Sequence, residues 1–197
     1  MSPDGRHSPT QVPNLRVAGP ADGEAIDALM KVSTRDIFPS TYDEQQTASS
    51  VRYIASVDRQ LLVDGTYFVI EVGDELVACG GWSRRDKLFT GAGAQEARVR
   101  LLDPATEPAR VRAMFVRADW TRRGLGTLIL EACVTAARAE GFRALALMAT
   151  MPGLPLYAKF GFRNLGHETI TLPDGVELEG ARMDMPIAGI HQPGSGD

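Results

Sequence analysis

Between Val111 and Ala136 the spacing of apolar residues changes once, and it changes at a pair of glycines. Val111, Met114, Phe115 and Val116 supply the β-branched and bulky apolar residues of a strand, whereas Leu125, Leu128, Ile129, Ala132, Cys133 and Ala136 recur at helical spacing. The joint is Arg122-Arg123-Gly124-Leu125-Gly126-Thr127. Gly124 and Gly126 remove Cβ where a helix begins, so backbone N–H groups can come close to a ligand while the positive end of the helix dipole points the same way. Such a junction suits a phosphate group, and Arg122 and Arg123 add positive charge to it.

Several phosphate loops share a Gly-x-Gly core, and two are excluded by neighbouring residues. A dinucleotide fingerprint needs a third glycine where this chain has Ile129, and a nucleotide P-loop needs Gly-Lys-Ser/Thr, which the sequence lacks. The order strand, Arg-Arg-Gly-Leu-Gly, helix instead resembles the acyl-CoA pyrophosphate loop of the GNAT N-acetyltransferase superfamily, whose pattern is Gln/Arg-x-x-Gly-x-Gly/Ala. Thr121 stands where that pattern has Gln or Arg. A second segment, Leu154-Pro155-Leu156-Tyr157-Ala158-Lys159-Phe160-Gly161-Phe162, is similar to the family's Leu-Tyr-x-x-x-Gly-Phe. Each motif alone is also explained by an ordinary turn, solvated arginines and a core-edge tyrosine. In register with alternating strands and helices, the pair points to acyl-CoA.

The resemblance implies a mixed α/β (α+β) fold, a largely antiparallel central sheet flanked by helices and splayed at the cofactor strand. It implies acetyl-CoA as cosubstrate, with no metal. Met114, Phe115 and Val116 would offer backbone groups to the pantetheine, with the N–H of Phe115 or Val116 aimed at the acetyl oxygen. Arg122, Arg123, Gly124, Leu125, Gly126 and Thr127 would hold the pyrophosphate, and Thr150 takes the place of a cofactor-binding Asn. Tyr157 inherits the role of general acid to the departing thiolate. The implied activity is N-acetyl transfer by direct attack of an amine in a ternary complex. A non-catalytic acyl-CoA-binding regulatory module is the alternative.

The rest of the chain frames this reading. At 197 residues with 44% hydrophobic content, one domain over residues 15–187 is expected, between tails at 1–14 and 188–197. A net charge of −4 argues against a nucleic-acid partner. The acceptor is expected to be a small-molecule amine or a protein amino group, and a homodimer is left open. Neither a secretory h-region at residues 1–14 nor an apolar run of membrane-spanning length occurs, so a cytoplasmic protein is expected. The two cysteines, Cys79 and Cys133, read as reduced core residues.

Leu15–Ala18 reads as a first strand, followed by helical character over Asp22–Val32 and Asp43–Ser56. Tyr67–Val72 and Leu76–Trp82 read as a hairpin about Gly73-Asp74-Glu75, with Gly80 and Gly81 as a bulge signal. Residues 83–108 form a long insertion that is either a lid or a mobile loop. Ala144–Met148, Phe162–Leu172 and Ala181–Pro186 read as further strands, the last two across the turn Pro173-Asp174-Gly175. Asp36, Glu71 and His167 are candidate bases, each explained equally by a surface position. Phe38, Tyr42 and Trp82 can line an acceptor cleft or pack in the core, and Arg84 and Arg85 can meet an acidic acceptor or solvent.

Overall fold

The computed structural model describes residues 12–86 and 100–187. The expected C-terminal tail, most of the N-terminal one, and the centre of the 83–108 insertion lie outside these residues. Among these residues five α-helices, α1 (Gly23–Ile37), α2 (Glu44–Tyr53), α3 (Arg59–Val63), α4 (Leu125–Ala139) and α5 (Leu154–Phe160), flank one seven-stranded sheet. Its strands are β1 (Asn14–Val17), β2 (Tyr67–Val72), β3 (Glu75–Ser83), β4 (Ala109–Val116), β5 (Ala144–Thr150), β6 (Arg163–Thr171) and β7 (Glu177–Pro186), in the order β1-β2-β3-β4-β5-β7-β6. The mixed, mostly antiparallel sheet expected from the sequence is therefore present. Among the described residues only β4 and β5 run parallel, because a helix, α4, connects them.

The parallel pair is short. β4 and β5 are in register only at Ala109 with Leu145 and Arg110 with Ala146, after which the strands part. β5 keeps its other neighbour along its whole length, from Ala144 opposite Pro186 to Thr150 opposite Gly180. A wedge thus opens in mid-sheet between the C-terminal halves of β4 and β5. Its two faces are closed by separate cores. On one face α4 and α5 bury Ile129, Leu130, Cys133 and Tyr157 against Val111, Leu145, Leu147 and Met183. On the other, α1 and α3 bury Ile26, Leu29, Met30, Leu61 and Leu62 against Tyr67, Val69 and Cys79. A third cluster seats Phe38 and Tyr42 on Ile170, Leu172 and Leu178.

The glycines at 80 and 81 do mark a bulge, and the extra residue lies on the facing strand. Register between β3 and β4 shifts between Cys79 and Gly81, so that Cys79 opposes Phe115 while Gly81 opposes Arg112. Ala113 takes up the slack with φ of 54°, a left-handed conformation uncommon for a residue with Cβ. Gly81 permits the close approach of β2, since a Cβ there would stand 2.5 Å from the Thr66 carbonyl oxygen. A Cβ on Gly80 would meet the Met114 sulfur, the flexible part of a side chain that can turn away. Gly81→Ala is therefore expected to lower stability by about 2 kcal/mol through overpacking against backbone, and Gly80→Ala by less. Urea unfolding of both variants checks the order.

Several boundaries differ from the sequence reading. α1 runs on to Ile37, one turn beyond the expected Val32, because Ser33 and Thr34 are buried and their hydroxyls are hydrogen-bonded. α3 was not anticipated; it is a single turn capped by Asp58, whose side chain accepts from the Gln60 N–H at 3.1 Å. The stems of the insertion are ordered. Arg85 bridges Leu101, the Leu102 N–H donates to the Arg84 carbonyl at 2.8 Å, and Leu102 is buried in the first core.

Candidate active site

The glycine turn folds as its residues require. Arg122 and Gly124 both adopt left-handed backbone, with φ of 60° and 82°. This reverses the chain out of the short 3-10 turn Ala118–Trp120 and into α4. Gly124 is the N-cap, and no side chain caps the helix. The Leu128 N–H donates to the Gly124 carbonyl at 3.0 Å, so the N–H groups of Leu125, Gly126 and Thr127 precede the first intrahelical bond and have no partner within the helix. They open the N-terminus of a 15-residue helix, where the dipole favours an anion. A Cβ built on Gly124 would meet nothing within 4 Å, so the space over the turn is open.

Gly126 has a different task. A Cβ there would stand 2.7 Å from Leu156 Cδ2, so its hydrogen lets the start of α4 rest directly on α5. That contact sets Tyr157, the next residue on α5, beside α4. Tyr157 is 8% exposed, packs edge-on against Phe162 at 5.8 Å, and has no hydrogen-bonded partner among the described residues. Burial, with the Cys133 thiol as a lesser cause, raises its pKa above the ordinary tyrosine value. The phenol is thus held in its protonated, donating form.

The arginines of the turn are unequal. The Arg123 guanidinium lies 4.4 Å from the Trp120 ring centroid and donates to the Asp119 carbonyl at 3.1 Å. Arg122 is exposed and makes no ion pair or side-chain hydrogen bond among the described residues. Thr121 spends its hydroxyl on the Ala118 carbonyl, at 2.8 Å.

At the wedge, strand alternation decides which β4 groups are free. The Arg117 N–H donates to the Val77 carbonyl at 2.9 Å, and Phe115, two residues earlier, is opposite Cys79 in the same register. Phe115 and Arg117 therefore face β3, whereas Met114 and Val116 turn their backbone groups toward β5, where β4 has no partner strand. Of the two strand donors named from the sequence for the acetyl oxygen, Val116 is the one that faces the wedge. Its carbonyl accepts from the Ser33 hydroxyl at 2.8 Å, which ties α1 to the rim. Thr150 ends β5 on the opposite side of the same opening.

The remaining candidates fall elsewhere. Trp82 is 1% exposed and packs against Phe142 in the first core. Phe38 and Tyr42 are also buried, and the Tyr42 hydroxyl donates to the Glu179 carbonyl at 2.6 Å while accepting from the Met151 N–H at 3.0 Å. This latch holds the end of β5 to β7; a lone sequence gives no sign of it. Arg85 pairs with Asp64 and Arg84 with Glu140. Glu71 is bound by Arg16, which holds its carboxyl below the usual range, and His167 meets Glu179 at 2.5 Å on the β6–β7 surface. Asp36 is exposed on α1. Cys79 and Cys133 are free and buried, and burial pushes the Cys79 thiol up to about 12. No cluster of His, Cys, Asp and Glu suited to a metal occurs among the described residues.

The split between β4 and β5, the parallel strands among the described residues, is followed along the chain by the uncapped N-terminus of α4. The family model for the acetyltransferase (GNAT) family matches residues 31–162, and the chain belongs to that family. Its fold is shared with a GCN5-related N-acetyltransferase from Rhodopseudomonas palustris, with a TM-score of 0.67 at 19% identity over 88% of this chain and 95% of that one. It is likewise similar to the PaiA N-acetyltransferase from Thermoplasma acidophilum in complex with coenzyme A, with a TM-score of 0.61 at 13% identity over 89% and 99% of the two chains. A third, the ribosomal-protein-S18-alanine N-acetyltransferase from Escherichia coli, gives 0.54 at 16% identity over 92% and 98%.

Gly124→Val places a β-branched side chain in left-handed backbone and in the open space over the turn. Its acetyl-CoA affinity should fall by at least ~10²-fold, whereas Arg122→Ala, removing one exposed positive charge beside the turn, should cost ~10-fold. Calorimetric titration of both folded variants checks the ordering.

Proposed function

We propose that this protein transfers an acetyl group from acetyl-CoA to an amine by direct attack in a ternary complex. The observation that carries the reading is the succession of three features: the β4 edge at Met114 and Val116 that β5 leaves without a partner strand, the uncapped turn at 124–127, and Tyr157 on α5, whose neighbour Leu156 rests on Gly126 at the start of the same helix. Acetyl-CoA fits that succession. The N–H groups of Leu125, Gly126 and Thr127, with Arg122, hold the pyrophosphate; Met114 and Val116 pair with the pantetheine arm as a short β-ladder. Thr150 contacts the arm from the β5 side.

The thioester supplies an activated acyl carbon. Attack by a neutral amine forms a C–N bond and puts negative charge on the carbonyl oxygen, which the Val116 N–H receives. Such a donor acts where charge develops and is typically worth ~10²–10³ in rate. The C–S bond then breaks, the sulfur leaves as a thiolate, and the nitrogen releases a proton to water. Tyr157 is the donor to that sulfur. Because burial raises its pKa, full proton transfer to a thiolate of ordinary basicity, pKa near ~8.5, is uphill, so its main contribution is a hydrogen bond that strengthens as the sulfur becomes anionic.

The acceptor is a small-molecule amine or a protein amino group; the E. coli neighbour that acetylates an alanine of a ribosomal protein supports keeping the second class. The buried free thiols suit the reducing cytoplasm. Thiol release from acetyl-CoA across a panel of amines tests the activity, and release no faster than spontaneous hydrolysis would favour a non-catalytic acyl-CoA sensor. Tyr157→Phe should leave acetyl-CoA affinity within a few-fold and slow single-turnover transfer by ~10²-fold. Equal rates would remove Tyr157 from the mechanism.

A further inference from the structure

Two charges lie deep in this protein next to the wedge. Arg112, 5% exposed, pairs through Nη2 with a carboxylate oxygen of Asp58, which is 6% exposed. Arg112 is the last β4 residue before the bulge, directly preceding the left-handed Ala113. Asp58 fixes the other end by capping α3. The Ala113 carbonyl is gripped as well, by the Tyr67 hydroxyl at 3.4 Å and more distantly by the Cys79 thiol at 3.8 Å.

Stability alone is a poor reason for this pair. Removing two charges from water is costly, and Arg112 Nε and Nη2 and Asp58 Oδ2 make no hydrogen bond among the described residues, so the pair is held by charge alone. Desolvation pulls the guanidinium pKa down to about 10, the mark of a cation that its surroundings under-compensate. Buried ion pairs of this kind are often replaced by apolar residues without loss of stability.

The register supplies a different reason. Before the bulge, residues of β3 and β4 pair as Gly81 with Arg112; had that register continued, Cys79 would oppose Met114 and Ala78 would oppose Phe115. The groups now facing the wedge would then point at β3, since one residue of slip exchanges the two sides of a ladder. The single extra residue at Ala113 is what turns Met114 and Val116 toward β5.

We propose that the Arg112–Asp58 pair is a positioning device for acetyl transfer: it clamps β4 on the N-terminal side of Ala113, holds the bulge in place, and thereby aims the Val116 N–H at the reacting carbonyl. Neither residue touches the substrate. The proposal rests on the transferase reading for its consequence in rate, and on the bulge alone for its consequence in structure.

The test uses Arg112→Met combined with Asp58→Asn, which removes both charges and keeps the α3 cap, and Arg112→Lys, which keeps the charge but changes the shape and reach of the side chain. Thermal unfolding, acetyl-CoA affinity, single-turnover rate and the Ala113 HN–Hα coupling are measured on each. The double variant should stay folded, keep acetyl-CoA affinity within ~10-fold, shift the Ala113 coupling to that of an extended residue, and lose ~10²-fold in rate at saturating acetyl-CoA, the scale of a misaimed catalytic group. Arg112→Lys should recover part of the rate. A double variant with the wild-type rate and an unchanged Ala113 coupling overturns the proposal. Should it fail to fold, Arg112→Lys decides: wild-type rate and coupling overturn the proposal, and a lowered rate with a shifted coupling in a folded protein supports it. If wild type releases no thiol with any amine, the transferase reading falls while the Ala113 coupling still reports on the clamp.

Discussion

The structure depends on a broken hydrogen-bond ladder. In a continuous sheet β4 would spend its backbone groups on both neighbours; here it pairs with β3 on both sides of the bulge and with β5 for two residues only. Unpaired backbone groups are costly when they lack a partner, so a sheet keeps such a gap only where other contacts hold it open. Those contacts are visible on every side. α1 fastens the rim through Ser33, Tyr42 latches the end of β5 to β7, and α4 and α5 pack together beneath the opening through the bare Cα of Gly126.

The gap and the helix start are neighbours because chain connectivity joins them. β4 ends at Val116, and residues 117–124, which contain the 3-10 turn and the two left-handed residues, connect it to α4. Unpaired strand groups and unpaired helix-terminal N–H groups thus lie in succession. The first suit amides and a developing oxyanion, the second a pyrophosphate. The two cores keep this surface rigid, each face of the sheet being covered by its own set of helices.

Much of this was legible in the chain. The period change at Gly124 and Gly126 fixed β4, the turn and α4, and the Leu-Tyr-x-x-x-Gly-Phe segment placed Tyr157 on a short helix, because local signals of spacing and glycine act within a few residues. What escaped was non-local. Ala113 carries no sign of its left-handed backbone, since alanine is an ordinary strand or helix residue and only the register against Gly81 demands the bulge. Arg112 and Asp58 are far apart in sequence and each reads as a surface charge; the Tyr42 bridge to Glu179 and Met151 is equally invisible. The single turn of α3 is too short for periodicity to reveal.

The most direct test is a backbone amide titration by NMR, with acetyl-CoA added to isotopically labelled protein. Amides of Met114, Val116, Leu125, Gly126 and Thr127 should shift together with one dissociation constant, and those of Phe115 and Arg117, turned toward β3, should move far less. Shifts confined to the 124–127 turn with β4 unmoved, or equal shifts at Phe115 and Val116, would contradict the account of a bulge that selects which strand groups meet the cofactor.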